Sequence, residues 1–213
     1  DVPGIDRSLD HLISRNGLGQ EHDAFPQVSY LPAMSTHGPG ILSFRKARSA
    51  DLDLLRDLSI RTFQDTYAAF NTEADMAHHI STVFHPDRLL EEMGDERIGY
   101  HIAFLGDEPA GYIRVNMSGI QTDVNDPDSL ELERIYVLKA FQGRRFGDQL
   151  IAKTFDLARE AGLAYVWLGV WKRNEKAVRF YQRMGFEIFG THEFVLGTDP
   201  QSDWLMKKPT GDR

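Results

Sequence analysis

An apolar run, a helical segment and a second apolar run follow one another in residues 130–171, and this order constrains the fold more than any other stretch. The first run is LELERIYVL, and the second, AYVWLGVW, begins at Ala164. The helix predicted between them covers about 143–161 and ends at Gly162. Strand, helix and strand within about 40 residues predict a right-handed βαβ unit whose two strands are parallel.

The remainder of the chain from Ile41 predicts an antiparallel sheet with more helices. ILSFRKA alternates apolar and polar residues, as a strand does, and the apolar spacing in 49–93 is helical. A hairpin is predicted around Gly106, and a helix capped by Asn174 ends at Gly185. FEIFG, THEFVLG and SDWLMKK are predicted as final antiparallel strands. The predicted fold class is therefore α+β (mixed α/β), with a mostly antiparallel sheet of six to seven strands and helices on both faces.

Residues 1–40 differ from this regular part because they are rich in glycine and proline. We predict an N-terminal extension or arm over 1–40, with one short helix near Asp6–Ser14, and a single domain over 41–208. The arm either docks on the domain as an ordered segment or is an extended start of the chain.

Composition excludes several classes of function. The net charge is −8 and the pI about 5.5, which disfavours a nucleic-acid-binding surface. An acidic balance suits a cationic small substrate, although it also simply promotes solubility. The chain has no cysteine, no run long enough for a membrane helix and no signal-peptide pattern, so we expect a cytoplasmic protein that binds no membrane. The adjacent His78 and His79 lack a third ligand nearby, so no metal is expected.

The turn QGRRFG, residues 142–147, begins the helix of the βαβ unit. A helix N-terminus presents unpaired backbone N–H groups that suit a phosphate, and glycines allow close approach. The spacing is neither a Walker A loop nor GxGxxG. From the residues alone, an anion site and a solvated helix start stay equally open.

Asn174 and Tyr181 begin and continue the next helix, and their spacing places them on one helix face, roughly 10 Å apart. Asn174 by itself is explained as an N-cap, and Tyr181 by itself as a core aromatic.

Together, the two segments resemble the GNAT superfamily of N-acetyltransferases. The family turn Gln/Arg-x-x-Gly-x-Gly/Ala is matched at Gln142 and Gly147, and the later pattern Asn…Ala…Phe-Tyr…Gly-Phe is matched over 174–186. The resemblance covers about 41–208, and the C-terminal strands look like the spermidine/spermine acetyltransferase branch. It implies the GNAT fold and an acetyl-CoA-dependent N-acetyltransferase.

The resemblance also implies a cofactor site. The backbone of Tyr136, Val137 and Leu138 would pair with the pantetheine arm of acetyl-CoA, and N–H groups of the turn would hold its pyrophosphate. Arg145 stands where the family usually has glycine; we expect it in the first helical turn, where arginine is tolerated. The cofactor-binding residues implied are Tyr136, Val137, Leu138, Gln142, Gly143, Arg144, Arg145, Gly147, Asn174, Lys176 and Tyr181.

Catalysis would require a base and an acid. An alkylamine is protonated at neutral pH and must lose a proton before it attacks the thioester. Glu133 is the expected base, through a water molecule, with Glu131 as the alternate, and Tyr181 would protonate the departing thiolate. Either carboxylate could instead be a solvated strand residue. The acceptor pocket is expected at Phe63–Tyr67 and His192–Phe194.

The acceptor is expected to be a primary amine of a small molecule, polyamine-like or amino-acid-like, or of a protein. The acidic loop from Gln121 could attract such a cation, although a solvated loop explains it as well. The alternative function is a catalytically inactive acyl-CoA-binding or sensor module. Dimers are frequent among the proteins that this chain resembles, which implies a homodimer.

Overall fold

Eight strands and five α-helices are formed by the residues that the structure, a computed structural model, describes, namely 5–6, 40–196 and 199–211. In chain order they are β1 (Ile5–Asp6), β2 (Ser43–Lys46), α1 (Leu52–Tyr67), α2 (Glu73–Val83), α3 (Pro86–Gly94), β3 (Ile98–Leu105), β4 (Glu108–Asn116), β5 (Ser129–Val137), α4 (Phe146–Glu160), β6 (Tyr165–Trp171), α5 (Glu175–Arg183), β7 (Glu187–Leu196) and β8 (Asp199–Pro209).

The sheet runs in the order β2-β3-β4-β5-β6-β8-β7. β5 and β6 are parallel, and the other neighbours along this path are antiparallel. The predicted fold class and the βαβ unit β5-α4-β6 are confirmed. The prediction of separate FEIFG and THEFVLG strands is wrong, because β7 continues along β8 through a register shift between Ile188 and Gly190.

Helices cover both faces of the sheet, as adjacent residues of β3 show. Tyr100 donates a hydrogen bond of 2.5 Å to Glu92 of α3, whereas His101 lies in the electrostatic range of Lys153 of α4. Neighbouring residues of a strand point to opposite faces, so α3 and α4 lie on opposite sides.

β5 and β6 pair over only three residues, from Ser129 to Glu131 on β5. The register between β4 and β5 then shifts after Arg114, which leaves Glu133 as an extra residue on β5. Such a bulge bends a strand and increases its twist. β5 therefore leaves β6 after Glu131 and Trp167, and we call the gap between the two strands beyond this point the wedge.

The two-residue strand β1 pairs with the wedge part of β5, with Ile5 opposite Ile135 and Asp6 opposite Arg134. The predicted helix near Asp6–Ser14 is wrong at Asp6, which is in a strand. The rest of that predicted helix lies outside the described residues.

Candidate active site

At the end of β5, the N–H and C=O groups of successive residues point alternately toward β4 and toward the wedge. Leu138 donates its N–H to Ala110 O at 2.9 Å, and its carbonyl accepts from Phe141 N at 2.8 Å. Because backbone groups of alternate residues point to opposite sides of a strand, Tyr136 also faces β4 and Val137 faces the wedge. Val137 therefore has the backbone groups that can pair with a ligand in the wedge, and ligand binding by Tyr136 and Leu138 stays a prediction.

The turn before α4 contains two residues with left-handed backbone. Gly143 has φ 79°, and Arg145, the N-cap of α4, has φ 60° and ψ 23°. The expectation that Arg145 sits in the first helical turn is wrong, because Arg145 precedes the helix and has a left-handed backbone. Glycine adopts this conformation without strain, which explains why resembling sequences usually have glycine at this position. The Arg145 side chain pairs with Asp148 at 2.9 Å. A left-handed residue followed by a helical one forms a concave set of N–H groups that binds anions.

Arg144 and Gln142 face inward from the same turn. The Arg144 guanidinium lies over the rings of Phe146 (5.0 Å) and Phe141 (5.9 Å). One of its terminal nitrogens is buried and has no hydrogen-bond partner among the described residues. Gln142 donates from Nε2 to the carbonyl of Val137 at 3.1 Å, so its side chain ties the turn to the wedge. An anion at the turn would satisfy the orphaned Arg144 nitrogen.

A cavity of about 480 Å³ brings several predicted residues together. Asn174 at its rim caps α5, since its Oδ1 accepts from Ala177 N at 3.2 Å. The cap uses only the oxygen, so the amide nitrogen of Asn174 can still donate to a ligand. The cavity is lined by residues from the end of α1 and the turn after it, the turn before α4, the end of β6 and the start of α5, including Tyr67, Phe70, Gln142, Trp171, Asn174 and Lys176.

Tyr181 lies on the buried face of α5. It is 0% exposed, and its hydroxyl has no hydrogen-bond partner among the described residues. Burial, and second to it the nearby phenol of Tyr67, raise the pKa of Tyr181 well above the usual value. A buried hydroxyl without a partner is uncommon unless it is used by a ligand.

Glu131 and Glu133 are both buried, so their interpretation as solvated strand carboxylates is wrong. Glu133 accepts from Arg114 at 2.7 Å, and Glu131 accepts from Thr122 Oγ1 at 2.6 Å. Asn116 donates from Nδ2 to both carboxylates, at 2.9 Å for Glu131. None of these three partners was predicted from the sequence, because Arg114 and Asn116 reach the carboxylates through the register between β4 and β5, and Thr122 does so from the loop after β4.

The predicted acceptor residues are only partly brought together. Tyr67 lines the cavity, but Phe63 is buried and stacks on His79 with ring centroids 4.0 Å apart. His192 lies on β7 and pairs through Nδ1 with Asp123 at 2.5 Å, away from the lining of this cavity. The side chain of Phe194 lies outside the described part of the structure.

The described ranges contain neither a membrane-spanning helix nor a group of metal-ligating side chains. No helix in 40–196 or 199–211 is long and apolar enough to span a membrane. Within the same ranges, no three acidic, histidine or cysteine side chains are grouped so that they could hold a metal ion.

Comparison with known proteins identifies the family. The model of the acetyltransferase (GNAT) family matches residues 60–186, which include the wedge, the turn before α4 and Tyr181. The chain belongs to the GNAT family of acetyltransferases.

Relatives agree with this assignment. An uncharacterised N-acetyltransferase of Lactobacillus delbrueckii subsp. lactis is 37% identical over 158 residues, covering 74% of this chain and 91% of that protein. A spermidine N(1)-acetyltransferase of Thermoplasma acidophilum is 22% identical over 171 residues, covering 78% and 96%. Among solved structures, the PaiA N-acetyltransferase of Thermoplasma acidophilum in complex with coenzyme A has a TM-score of 0.65 at 22% identity, with 79% and 99% covered, and supports the fold. The predicted family, N-acetyltransferase activity and acetyl-CoA cosubstrate are confirmed.

Proposed function

We propose that the domain over 41–208 binds acetyl-CoA in the wedge and transfers its acetyl group to a primary amine held in the cavity. The observation that carries this proposal is the position of Tyr181, a buried hydroxyl without a described partner on the helix whose first turn borders the cavity. The residues fit a ligand with an anionic end and an amide-containing arm. An orphaned Arg144 nitrogen and a concave turn suit the pyrophosphate, and the wedge-facing backbone of Val137 suits the arm.

The residues at the site have distinct binding roles. N–H groups from Gly143 to Gly147 would hold the pyrophosphate, with Arg144 beside them. Gln142 fixes the turn against Val137, and the Asn174 amide nitrogen would donate to the cosubstrate. Lys176, in the first turn of α5, lines the cavity and would add positive charge near the phosphates. Acetyl-CoA supplies an activated acetyl group as a thioester.

Two proton transfers accompany the reaction. The acceptor ammonium must lose a proton, and Glu133 would take it through a water molecule, with Glu131 as the alternate. Both carboxylates already accept hydrogen bonds from β4 or from the following loop, which fixes their orientation. Oε2 of Glu133 accepts from Asn116 and has a second lone pair for a water, whereas Oε2 of Glu131 already accepts from both Asn116 and the Thr122 N–H. Tyr181 would donate its proton to the thiolate that leaves.

The acceptor that we propose is a small cationic amine, polyamine-like or amino-acid-like. The net charge of −8 favours the approach of a cation, and Asp65 adds a carboxylate to the cavity wall. The cavity also presents the aromatic side chains of Phe70 and Trp171, whose rings are 6.0 Å apart. Aromatic faces attract cations, and the Trp171 ring already has the Arg173 guanidinium at 5.9 Å, so the exposed ring of Phe70 is the face that suits an alkylammonium group.

A thiol-release assay with an amine panel tests the proposed function. The panel contains spermidine, single amino acids and peptides with free N-termini, each at saturating acetyl-CoA. We expect CoA thiol release with a polyamine or amino acid, and a loss of at least about 100-fold in kcat for Tyr181→Phe. If acetyl-CoA raises the melting temperature but no amine releases thiol, the chain is a binding module rather than an enzyme.

We also propose a cytoplasmic homodimer. A chain without cysteine does not depend on an oxidising compartment. At the β7 edge of the sheet, Ile188 and Phe189 are large apolar side chains that stay 42% and 38% exposed. Exposed apolar side chains on an edge strand favour a subunit contact. Light scattering coupled to size-exclusion chromatography should give twice the chain mass of 24.2 kDa, and Phe189→Lys should give a monomer.

A further inference from the structure

Asn116 joins the two carboxylates at the start of the wedge. It is the last residue of β4, it is 0% exposed, and it stands opposite Glu131 in the register between β4 and β5. Its Nδ2 donates to Oε2 of Glu131 at 2.9 Å and also to Oε2 of Glu133, the extra residue at the bulge. One amide nitrogen therefore holds both candidate bases.

The two donations fix the orientation of the Asn116 amide. A primary amide nitrogen has two N–H groups, and here each of them meets a carboxylate oxygen. The reversed amide would turn its carbonyl oxygen toward these two oxygens, and three acceptors would then meet without a proton between them. The amide oxygen, Oδ1, is therefore left to accept from a third group.

This amide oxygen is buried and has no hydrogen-bond donor among the described residues. A buried acceptor in this state is uncommon unless a water or a ligand satisfies it. Oε2 of Glu133 lies against the nitrogen of the same Asn116 amide and keeps one lone pair. The two oxygens are therefore close enough for one water to donate to both of them.

We propose that Asn116 is a positioning residue that holds the water through which Glu133 deprotonates the acceptor amine. The inference rests on the proposed function of the site. The water donates one hydrogen to Asn116 Oδ1 and the other to Glu133 Oε2, so its own lone pairs are left for the acceptor ammonium. Arg114 holds the other oxygen of Glu133, Oε1, at 2.7 Å, which leaves Oε2 to take the proton.

The protons balance along this path. The ammonium gives one proton to the water, and the water gives one to Glu133 Oε2, so the water is regenerated and a neutral amine remains. The amine nitrogen loses a second proton when it bonds to the acetyl carbon and the C–S bond breaks, and the thiolate takes up one proton in exchange. Glu133 returns its proton to solvent after the products leave. One thiol and one proton are released overall, and Asn116 stays a neutral amide throughout.

Charged groups from three elements surround the base. Arg114 of β4 and Arg134 of β5 lie 2.7 and 3.4 Å from Glu133, and Glu92 of α3 lies 3.4 Å from Arg114. Glu131 is the second carboxylate on the Asn116 nitrogen. A hydrogen bond to a carboxylate favours its ionised form, whereas a second carboxylate nearby disfavours it. Loss of the shared amide should therefore restrict the ionised base to higher pH.

Asn116→Ala tests the inference because it removes both parts of the amide. The assay uses the amine of the panel that releases most thiol, at saturating acetyl-CoA. We expect kcat/KM for the amine to fall about 100-fold at pH 6 and about 10-fold or less at pH 9, since more of the amine arrives neutral at the higher pH. The acidic limb of the profile should move up by about one pH unit. The KM for acetyl-CoA should change less than about twofold, because Asn116 holds no part of the cosubstrate.

Two further variants complete the test. Asn116→Ser keeps a hydroxyl that can donate to one carboxylate, so it should show the same change to a smaller extent, and it replaces the alanine variant if that chain does not fold. Ser129→Ala is the matched control. Ser129 is buried on β5, and its hydroxyl lies 3.2 Å from Gln121 Oε1 and 2.9 Å from the Asp126 carbonyl, not against either carboxylate. Its loss should lower the melting temperature and leave the pH profile of the wild type.

The outcomes separate positioning from other roles. Wild-type kcat/KM and an unmoved acidic limb in a folded Asn116 variant would overturn the inference and leave the acetyltransferase function standing. An equal loss at every pH would also overturn it, because it would show a role in packing or acceptor binding. The same displacement of the limb in Ser129→Ala would count against it as a general effect of weakening β5. Absence of thiol release by the wild-type chain with every amine would overturn the proposed function and this inference together.

Discussion

The guanidinium of Arg114 lies 2.7 Å from the carboxylate of Glu133, inside the sheet and at the bulge where β5 leaves β6. Arg114 is also 3.4 Å from Glu92, which accepts a hydrogen bond from Tyr100. Arg134 lies 3.4 Å from Glu133 and completes this buried set. The shape of the wedge therefore depends on charged groups that have little access to water.

Removal of Arg114 should be strongly destabilising. Arg114→Met leaves Glu133 and Glu92 buried with one cation fewer, and breaking a buried pair from one side costs about 3–5 kcal/mol. Urea unfolding measures the loss. The matched control is Arg61→Met, which breaks an exposed pair with Asp57 and should cost less than about 1 kcal/mol. Equal losses in the two variants would show that the buried set does not hold the bulge.

Arg145→Gly should stabilise the protein. A left-handed backbone costs a residue other than glycine about 1–2 kcal/mol, and the greater freedom of glycine in the unfolded chain offsets part of this gain. The lost pair with Asp148 is small because the Arg145 side chain is 83% exposed. We expect a net gain of about 0.5–1 kcal/mol in the free energy of unfolding.

Arg145→Ala is the control for that substitution. It removes the same ion pair but keeps the strained backbone, so it should not stabilise the protein. Isothermal titration with acetyl-CoA should give an unchanged or lower Kd for Arg145→Gly. A lower stability of Arg145→Gly than of Arg145→Ala would show that the side chain, and not the backbone, matters at this position.

The local patterns of this sequence predict most of the fold. The βαβ unit, the cap at Asn174 and the end of α5 at Gly185 follow from residues a few positions apart, and the structure confirms each. The left-handed Arg145 could not be recognised in the same way, because an arginine gives no sign of positive φ. Only the glycine usual in resembling sequences pointed to it.

Contacts across the sheet were less predictable than local elements. Glu133 meets Arg114, 19 residues earlier, because a bulge shifts the register by one residue. Alternation along a strand shows which residues share a face, but it does not show where a bulge lies. The sequence also does not show which backbone groups of 136–138 are used by β4; the structure shows that the Leu138 N–H is bonded to Ala110, which leaves Val137 facing the wedge.

His101 should make the protein less stable as the pH falls below about 6.5. It is buried on β3, and burial, followed by the charges of Lys153 and Lys46, lowers the pKa of His101 to about 4. In the unfolded chain the pKa is 6.5, so between these values only the unfolded state takes up the proton. The stabilisation is complete above pH 6.5 and is lost progressively toward pH 4, by roughly 3 kcal/mol.

His101→Gln isolates this contribution, because glutamine stays neutral. Unfolding free energies from urea titrations at about pH 7 and pH 4.5 should differ less in the variant than in the wild type. Carboxylates such as Glu92, whose pKa is lowered by Arg114 and Arg134 against the opposing effect of burial, titrate in both proteins and cancel in the comparison. The same pH dependence in both proteins would exclude His101.

β1 and acetyl-CoA should compete for the wedge. Ile5 pairs with Ile135, two residues before Val137 on the side of β5 that faces the wedge. A cosubstrate that pairs with this edge must displace β1, and its apparent affinity is lowered by the fraction of molecules in which β1 is paired. Ile5→Pro removes the backbone donor at the pairing residue, which is worth about 1 kcal/mol. We expect isothermal titration to give a Kd for acetyl-CoA about fivefold lower than in the wild type. Asp6→Ala keeps every backbone donor and should bind as the wild type does. An unchanged or higher Kd in Ile5→Pro would show that β1 and the cosubstrate occupy the wedge independently.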